Sequence, residues 1–259
     1  MIPQQQNDSE RARTATGDDL AALLHHHASN VLLQLLDNPA VDEPQVCLLL
    51  GRKDLPTEVL IEVARRKVML KSYRVKRALA FHPRTPRLIA VHLARELYLM
   101  DLAQLALQPG SPAELKRIAE NQLAVRLPQL PLGQKITLAR RGPARVVGAL
   151  LAEGHKHIVS VALENANLTE AQVLRVLSRE TLPADVSLAI SRHHKWSCSY
   201  NVRLALVRHP NTTLSTVLGY LTELTVTDLR HLAAPGIVTE SLRKYLLAEI
   251  HRRIRPRKK

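Results

Sequence analysis

Apolar residues recur every three to four positions along most of the chain, in short blocks that polar residues and prolines separate. This spacing predicts amphipathic helices, and no stretch shows the sustained β-branched alternation of a half-buried strand. Residues that suit helix N-caps stand before many of these blocks, as Asp42, Ser72, Thr169 and Ser199 do. The blocks, caps and prolines predict helices at approximately 18–36, 43–51, 56–68, 73–81, 86–97, 99–107, 112–126, 131–140, 143–153, 156–164, 169–178, 183–194, 200–208, 213–223, 226–234 and 239–254.

Short helices joined by short loops cannot form a long bundle. They are expected to stack as antiparallel pairs, because each pair can then bury its apolar face against the next. The pattern therefore predicts an all-α fold and, within that class, an α-solenoid of short antiparallel helix pairs.

The chain also resembles itself. When it is shifted by 127 positions, residues 37–128 align with residues 164–255 without a gap, and 26 of the 92 pairs are identical. The identities include the Leu-Pro and His-Pro dipeptides and the Ser-Tyr dipeptides that open two of the predicted helices. This match exceeds what a Leu-rich composition produces, so the sequence predicts an internal duplication. Positions that this shift relates are called corresponding positions below.

The alignment also sets the predicted domain organisation. Residues 1–16 are polar and lack periodicity, so we expect them to be disordered. Residues 17–259 are predicted to form a single α-solenoid, with duplicated halves at 37–128 and 164–255, connecting helices at 129–163 and a basic C-terminal tail at 251–259.

Composition narrows the fold and the compartment. Of the 259 residues 46% are hydrophobic but only 3% are aromatic, so the core must consist mainly of Leu, Ala and Val. Nine glycines are too few for the many turns of a β-sandwich or barrel. Two cysteines exclude a disulfide framework and a four-thiolate metal site. No run of 18 apolar residues occurs, so we expect a cytoplasmic protein without a membrane span.

Two segments carry a recognisable repeat pattern, Val75-Lys-Arg-Ala-Leu-Ala-Phe-His-Pro-Arg-Thr-Pro86 and Val202-Arg-Leu-Ala-Leu-Val-Arg-His-Pro-Asn-Thr-Thr213. They resemble the repeats of bacterial HEAT-like and leucine-rich-variant proteins, although His82 and His209 replace the usual Asn before Pro. The resemblance implies a curved stack of helix pairs. An iron–sulfur cluster known in one leucine-rich-variant type does not carry over, because the clustered N-terminal cysteines are missing. Some HEAT-like families are DNA glycosylases, but none of their catalytic residues can be matched to this chain.

The twelve histidines do not predict a metal site. His25, His26 and His27 are consecutive, so on a helix their side chains point about 100° apart and cannot converge on one ion. The pairs at 155/157 and 193/194 lack the i,i+4 spacing of helical metal ligands. Phosphate-binding loops, nucleophile elbows and paired C-x-x-C motifs are absent too. We therefore expect no catalytic residue, no metal and no cofactor, and a protein that is not an enzyme.

Basic residues form the most distinctive clusters in this chain of net charge +14. Seven positive charges fall within residues 65–77 without an acidic residue, and the tail adds six more. A basic surface suits polyanions or acidic partners, and a surface that merely keeps the protein in solution is the alternative. The candidate residues for binding nucleic acid or an acidic partner are Arg65, Arg66, Lys67, Lys71, Arg74, Lys76, Arg77, Arg192, Lys195, Arg203, Arg252, Arg253, Arg255, Arg257, Lys258 and Lys259.

Three functions remain open from the sequence. The first is a non-enzymatic helical-repeat scaffold that presents a curved surface to a protein partner. The second is a nucleic-acid-binding α-solenoid that contacts the phosphate backbone through the basic clusters, since few aromatic residues are present to stack on bases. The third is a DNA-repair enzyme of the HEAT-like type. Neither a membrane nor a small-molecule substrate is expected as a partner.

Overall fold

The computed structural model describes residues 8–254, and within that range the chain contains helices, turns and loops but no strand. The all-α prediction is thus confirmed. The chain divides into two compact units, the first ending at Val125 and the second beginning at Arg126.

The first unit consists of short helices linked by tight loops. Its helices are α1 (described over residues 8–12), α2 (Gly17–Leu24), α3 (Ser29–Leu35), α4 (Glu43–Leu50), α5 (Thr57–Arg65), α6 (Tyr73–Phe81), α7 (Arg87–Glu96), α8 (Leu99–Leu107) and α9 (Ala113–Arg126), with a short 3₁₀ helix at Met69–Lys71 between α5 and α6. Helix α4 packs against α2 and α6, while α3 packs against α5 and α6 against α7.

The second unit has the same kind of construction. Its helices are α10 (Leu132–Arg141), α11 (Ala144–Ala152), α12 (Lys156–Leu163), α13 (Glu170–Leu177), α14 (Ala184–Arg192), α15 (His194–Ser197), α16 (Tyr200–Arg208), α17 (Leu214–Leu221), α18 (Val226–Leu232) and α19 (Glu240–Ile254). Helix α13 packs against α11 and α16, and α19 packs against α17 and α18. The helices α10–α12, which the sequence predicts as part of a connecting segment, pack against one another and through α11 and α12 against the rest of this unit.

Helix starts in the two units coincide under the shift that aligns their sequences. Each of the eight helices from α2 to α9 begins at the position that corresponds to the first residue of a helix in the second unit, and these partners are α11, α12, α13, α14, α16, α17, α18 and α19. Helices α2 and α3 lie before residue 37, where the sequence alignment starts, so the correspondence of helix starts extends further towards the N-terminus than the alignment does.

Helix limits follow local side-chain chemistry. The hydroxyl oxygens of Ser72, Thr169 and Ser199 each accept a hydrogen bond at 3.4 Å from the backbone N–H three residues on, which confirms them as N-caps. The predicted helix at 18–36 is instead divided into α2 and α3. There the ring Nδ1 of His26 accepts the backbone N–H of Ala28 at 3.0 Å and so competes with the helical hydrogen bond.

The N-terminal segment is folded where the structure describes it. Sequence composition predicts disorder over residues 1–16, yet Ala12 is fully buried in α1. The side-chain amide of Asn38 donates hydrogen bonds to the carbonyls of Ala12 and Ala15 at 2.9 and 2.8 Å. The disorder prediction is therefore wrong for residues 8–16, because a buried amide holds their backbone in place; residues 1–7 lie outside the described residues.

Two buried histidines link successive helix pairs. The ring Nδ1 of His82 accepts the backbone N–H of Arg84 at 3.1 Å, so the proton of the neutral ring lies on Nε2, which donates to the carbonyl of Arg52 at 2.7 Å. His209 makes the same two contacts, at 3.2 Å with the N–H of Asn211 and at 3.1 Å with the carbonyl of Arg179. Each ring therefore connects the loop after one helix to the loop after the helix packed against it.

Burial lowers the pKa of His82 below its usual value of 6.5, and this makes stability depend on pH. The His82 ring is harder to protonate in the folded than in the unfolded state. We therefore expect the free energy of unfolding to be highest above pH 6.5, where the ring is neutral in both states, and to fall as the pH drops below 6.5. Substitution His82→Asn removes the titrating ring, while an Asn side chain can still accept from the i+2 N–H and donate to a carbonyl, as Asn38 does. Urea denaturation at pH 7.5, 6.5 and 5.5 should show a weaker pH dependence for His82→Asn than for wild type. The exposed His157→Asn is the control, and an unchanged dependence in His82→Asn would contradict the prediction.

The core is aliphatic, as the composition predicts. Among the described residues, the buried apolar side chains are those of Leu, Val, Ala and Ile, with Trp196 as the single aromatic addition. No helix in the described range combines the length and the apolar character that a membrane span needs.

Candidate binding surfaces

Seven of the twelve candidate cations that the structure describes are paired with carboxylates within the fold. These pairs are Arg66 with Asp37 and Glu62, Arg74 with Glu43, Lys76 with Glu96, Arg77 with Asp101, Arg203 with Glu223, and both Arg252 and Arg253 with Glu249. The ammonium of Lys76 lowers the pKa of the Glu96 carboxyl. These cations are engaged in intramolecular contacts, so a polyanion would have to compete for them.

Five candidate cations have no carboxylate partner among the described residues. Arg65, Lys67 and Lys71 lie exposed around the 3₁₀ helix of the first unit. Arg192 and Lys195 are exposed at the corresponding place in the second unit, where the Lys195 ammonium lies 4.3 Å from the centroid of the Trp196 ring. The candidate tail residues Arg255, Arg257, Lys258 and Lys259 lie outside the described residues.

One group of possible metal ligands occurs within the described range, formed by Glu164, His193 and His194 with ligand atoms within 4.8 Å of one another. The ring Nδ1 of His193 accepts the backbone N–H of Lys195 at 3.3 Å, and its Nε2 lies 3.1 Å from Glu164 Oε1. Both ring nitrogens are thus used inside the protein. In the first unit the positions that correspond to His193 and Glu164 are Arg66 and Asp37, and these also form an ion pair. The contact between His193 and Glu164 is therefore accounted for as a structural tie between the same two loops.

The second unit contains an open cavity of about 530 Å³, which we call the terminal groove. It lies where the C-terminal ends of α13 and α16 meet α17 and the start of α19, and its wall includes Leu177, Arg208, Leu214, Val217, Ile237 and Leu242. Leu214 and Ile237 expose 44% and 46% of their surface, so two large apolar side chains meet solvent in the same groove. A shallower cavity of about 360 Å³ between α13 and α16 shares Leu177 and Arg208 with the groove and extends it.

The corresponding place in the first unit is nearly closed. The cavity there measures about 130 Å³, and most of its lining residues stand at positions that correspond to the lining of the terminal groove. Arg87 and Glu114 form an ion pair across its wall, and the side-chain amide of Gln108 donates to the carbonyl of Phe81 at 2.9 Å. An ion pair and a side-chain-to-backbone hydrogen bond therefore occupy space that is open in the second unit.

Residues at four corresponding positions of this lining differ, and three of the differences (at 87, 108 and 114) remove these contacts. In the second unit Leu214 replaces Arg87, Ser241 replaces Glu114, Pro235 replaces Gln108 and Arg208 replaces Phe81. Leu214 and Ser241 carry no charge and Pro235 has no side-chain amide, so neither the ion pair nor the hydrogen bond can form there. A leucine and a serine remain at the mouth of the groove.

A second cavity, of about 400 Å³, lies in the first unit between the start of α4 and the 3₁₀ helix. We call it the Met69 cavity, and its walls include Glu43, Val46, Met69, Lys71 and Val75. Val68 at its edge exposes 77% of its surface. Lys71 is the one unpaired candidate cation in its lining, which also includes the carboxylates of Asp42 and Glu43.

Comparison with known proteins adds no further assignment. No family model, no curated protein and no solved structure matches this chain significantly. Its function must therefore be inferred from its own residues.

Sequence reasoning missed both cavities because it compared the two halves only for identities. The signal lay in corresponding positions that differ in size or charge, such as Arg87 against Leu214 and Met69 against Trp196. A leucine at an arginine position is visible in the sequence, but its partner residue is visible only in the structure.

Proposed function

We propose that this protein is a non-enzymatic, internally duplicated helical-repeat protein that binds a segment of a protein partner in the terminal groove. One observation carries the proposal. The groove is open in the second unit and lined in large part by apolar side chains, while an ion pair and a hydrogen bond from the Gln108 amide narrow its counterpart in the first.

Repeated contacts support the duplication and the resemblance to HEAT-like repeats. The amide of Asn165 donates to the Ala139 carbonyl at 2.8 Å, as that of Asn38 donates to Ala12. The hydroxyl of Tyr200 donates to Asp228 as that of Tyr73 donates to Asp101. Each of these contacts joins the same two corresponding positions in both units, and together they argue for two copies of one ancestral unit built from stacked helix pairs.

The shape and lining of the groove suit a polypeptide. Its volume accommodates several side chains, and its lining combines apolar side chains with hydroxyl groups and with the charged residues Glu180 and Arg208. The hydroxyl of Thr212 in its wall has no hydrogen-bond partner among the described residues, whereas the corresponding hydroxyl of Thr85 donates to the carbonyl of Leu79 at 2.7 Å. An apolar anchor residue with polar neighbours is the ligand that such a lining favours.

Nucleic-acid binding is the second candidate, and the five unpaired cations favour it. It would depend on contacts between these cations and phosphates, and its affinity would fall steeply with salt. The pairing of the other described candidate cations with carboxylates limits the number of phosphates that could be neutralised, so we rank this function below protein binding.

The experiment closes the groove with residues that the first unit uses. Peptides are selected from a displayed random library on the wild-type protein and measured by fluorescence anisotropy. The double variant Leu214→Arg/Ser241→Glu places in the groove the two residues that form the Arg87–Glu114 ion pair in the first unit. We expect it to bind the selected peptides at least about tenfold more weakly than the wild-type protein does, a difference of about 1.4 kcal/mol. Leu88→Arg at the most exposed leucine of the first unit should bind as wild type does.

Two checks make the result decisive. Circular dichroism melting establishes that the double variant folds, and Leu214→Arg alone replaces it if it does not. Peptides that bind the closed and the open groove equally would contradict the proposal. Salt-sensitive binding of duplex DNA that is lost in Arg65→Glu/Lys67→Glu/Lys71→Glu, in the absence of groove-dependent peptides, would support nucleic-acid binding instead.

A further inference from the structure

The terminal groove and its counterpart in the first unit each have one arginine and one glutamate in their lining. In the first unit these are Arg87 and Glu114, which pair with each other across the wall. In the second unit they are Arg208 and Glu180, and neither has an ion-pair partner among the described residues. Two charges that the protein satisfies in one unit thus remain open to a ligand in the other.

Both free charges are particular to the second unit. The position that corresponds to Arg208 holds Phe81, and the position that corresponds to Glu180 holds Lys53. The first unit therefore has neither the guanidinium nor the carboxylate at these places, so the charge pattern of the terminal groove does not follow from the repeat itself.

The two charges lie on loops that are tied together. Arg208 is the last residue of α16, and Glu180 lies in the loop after α13. The ring of His209 donates to the carbonyl of Arg179 at 3.1 Å, and the side-chain amide of Asn211 donates at 2.8 Å to a carbonyl two residues after Glu180. The backbone on both sides of Glu180 is therefore fixed against the loop that follows Arg208. Loops that are ordered before a ligand arrives lower the cost of binding it.

A carboxylate near Arg208, that of Asp228, is bound elsewhere. The hydroxyls of Tyr200 and Thr225 donate to it, the latter at 2.7 Å. These hydrogen bonds lower the pKa of Asp228, and the nearby charges of His231 and Arg208 add to the effect. The guanidinium of Arg208 acts on Asp228 without forming an ion pair with it, so it is free to pair with a carboxylate of a ligand.

Apolar and charged side chains share this groove. The exposed Leu214 and Ile237 line it together with Arg208 and Glu180. A segment that covers the two apolar side chains therefore also removes water from the two charges. A charge that loses water without gaining a partner raises the free energy of the complex, and so does a like charge placed against it. The ligand that fits best supplies an opposite charge to each.

We propose that the segment bound in the terminal groove carries, beside its apolar anchor, an acidic residue that pairs with Arg208 and a basic residue that pairs with Glu180. This inference deepens the proposed protein-binding function and rests on it. Arg208 also lines the shallower cavity that extends the groove, so the acidic residue lies at the junction of the two cavities. A uniformly acidic or uniformly basic segment fits less well, because one of the two free charges would then face a like charge.

The test selects nine-residue peptides on the full-length protein, from a displayed library with Leu fixed at the centre and random residues elsewhere. We expect the selected peptides to be enriched in pairs of one acidic and one basic residue. Fluorescence anisotropy then measures one such peptide against Arg208→Glu and Glu180→Lys, each of which should bind it at least about fivefold more weakly than wild type does. Replacing the acidic residue of the peptide by Lys should restore its affinity for Arg208→Glu, and replacing the basic residue by Glu should restore its affinity for Glu180→Lys.

Matched controls carry the same charge changes outside the groove. Arg175→Glu and Asp185→Lys, at exposed residues that line neither the groove nor its extension, should bind the peptide as wild type does. Arg208→Gln and Glu180→Gln replace the charge reversals if these do not fold.

The outcomes separate this inference from the function on which it rests. Peptides that the groove variant Leu214→Arg/Ser241→Glu no longer binds, but that both charge reversals bind unchanged, would overturn the inference and leave the proposed function standing. Enrichment in one sign of charge alone would overturn it as well. Binding that survives the groove variant would contradict the proposed function and the inference with it. A melting temperature that falls in each reversal and recovers in Arg208→Glu/Glu180→Lys would show that these two residues pair with each other, which also overturns the inference.

Discussion

Replacement of Trp196 by Ala is expected to lower the free energy of unfolding by about 3–5 kcal/mol, the range typical of removing a large aromatic ring from a core. The indole is 3% exposed and is the only aromatic ring among the buried apolar side chains that the structure describes. Its removal leaves a cavity, and the carbonyl of Leu163 loses its hydrogen bond at 3.1 Å. Urea denaturation followed by far-ultraviolet circular dichroism measures the loss without relying on tryptophan fluorescence.

Substitution Trp196→Met provides the matched control, because the first unit carries Met69 at the corresponding position. Met should retain part of the packing, so its loss of stability should be clearly smaller than that of Ala. A loss below about 1 kcal/mol for Trp196→Ala would mean that the ring is not packed as the structure places it.

The second large effect is expected at the buried amides of Asn38 and Asn165. The amide nitrogen of Asn38 donates to two carbonyls, at 2.9 and 2.8 Å, and its Oδ1 accepts the backbone N–H of Ala40 at 2.8 Å. Asn38→Ala leaves three backbone groups without partners, and we expect a loss of about 2–4 kcal/mol, since a buried polar group left unpaired costs about 1–3 kcal/mol and water reaches part of this loop. Asn165→Ala should behave alike, because Asn165 makes the corresponding contacts.

Asn38→Asp distinguishes the donor from the acceptor. A carboxylate keeps the bond from Ala40 but places negative charge against the carbonyls of Ala12 and Ala15, so Asp should destabilise at least as much as Ala. The exposed Asn30→Ala is the control and should change stability by less than about 0.5 kcal/mol. Chemical denaturation at neutral pH checks all four variants, and an Asp variant as stable as wild type would show that the donor bonds are absent.

Several features of the fold follow from residues close together in the chain. Helices α6, α13 and α16 begin directly after the predicted caps Ser72, Thr169 and Ser199. A cap involves only a side chain and the first turn that follows it, so the sequence alone is sufficient to locate it. The aliphatic core is predictable for a similar reason, because a chain with few aromatic residues has no other material for its interior.

The binding surfaces depend on residues that are far apart in the chain. Charge counting marks residues 65–77 as uniformly positive, but it does not reveal that Lys76 meets Glu96 and that Arg77 meets Asp101 at 2.7 Å. The disorder prediction fails over residues 8–16 for a similar reason, because the distant Asn38 supplies hydrogen bonds to the carbonyls of Ala12 and Ala15.

The sequence by itself determined that this protein is helical, where several of its helices begin, that its core is aliphatic, and which segments resemble each other. All of these depend on spacing and composition within short stretches or on direct comparison of letters. Only the tertiary structure decided which cations stay unpaired and which cavities stay open. An ion pair such as that of Arg87 with Glu114 closes a cavity only because folding brings two distant helices together, and no local pattern encodes that proximity.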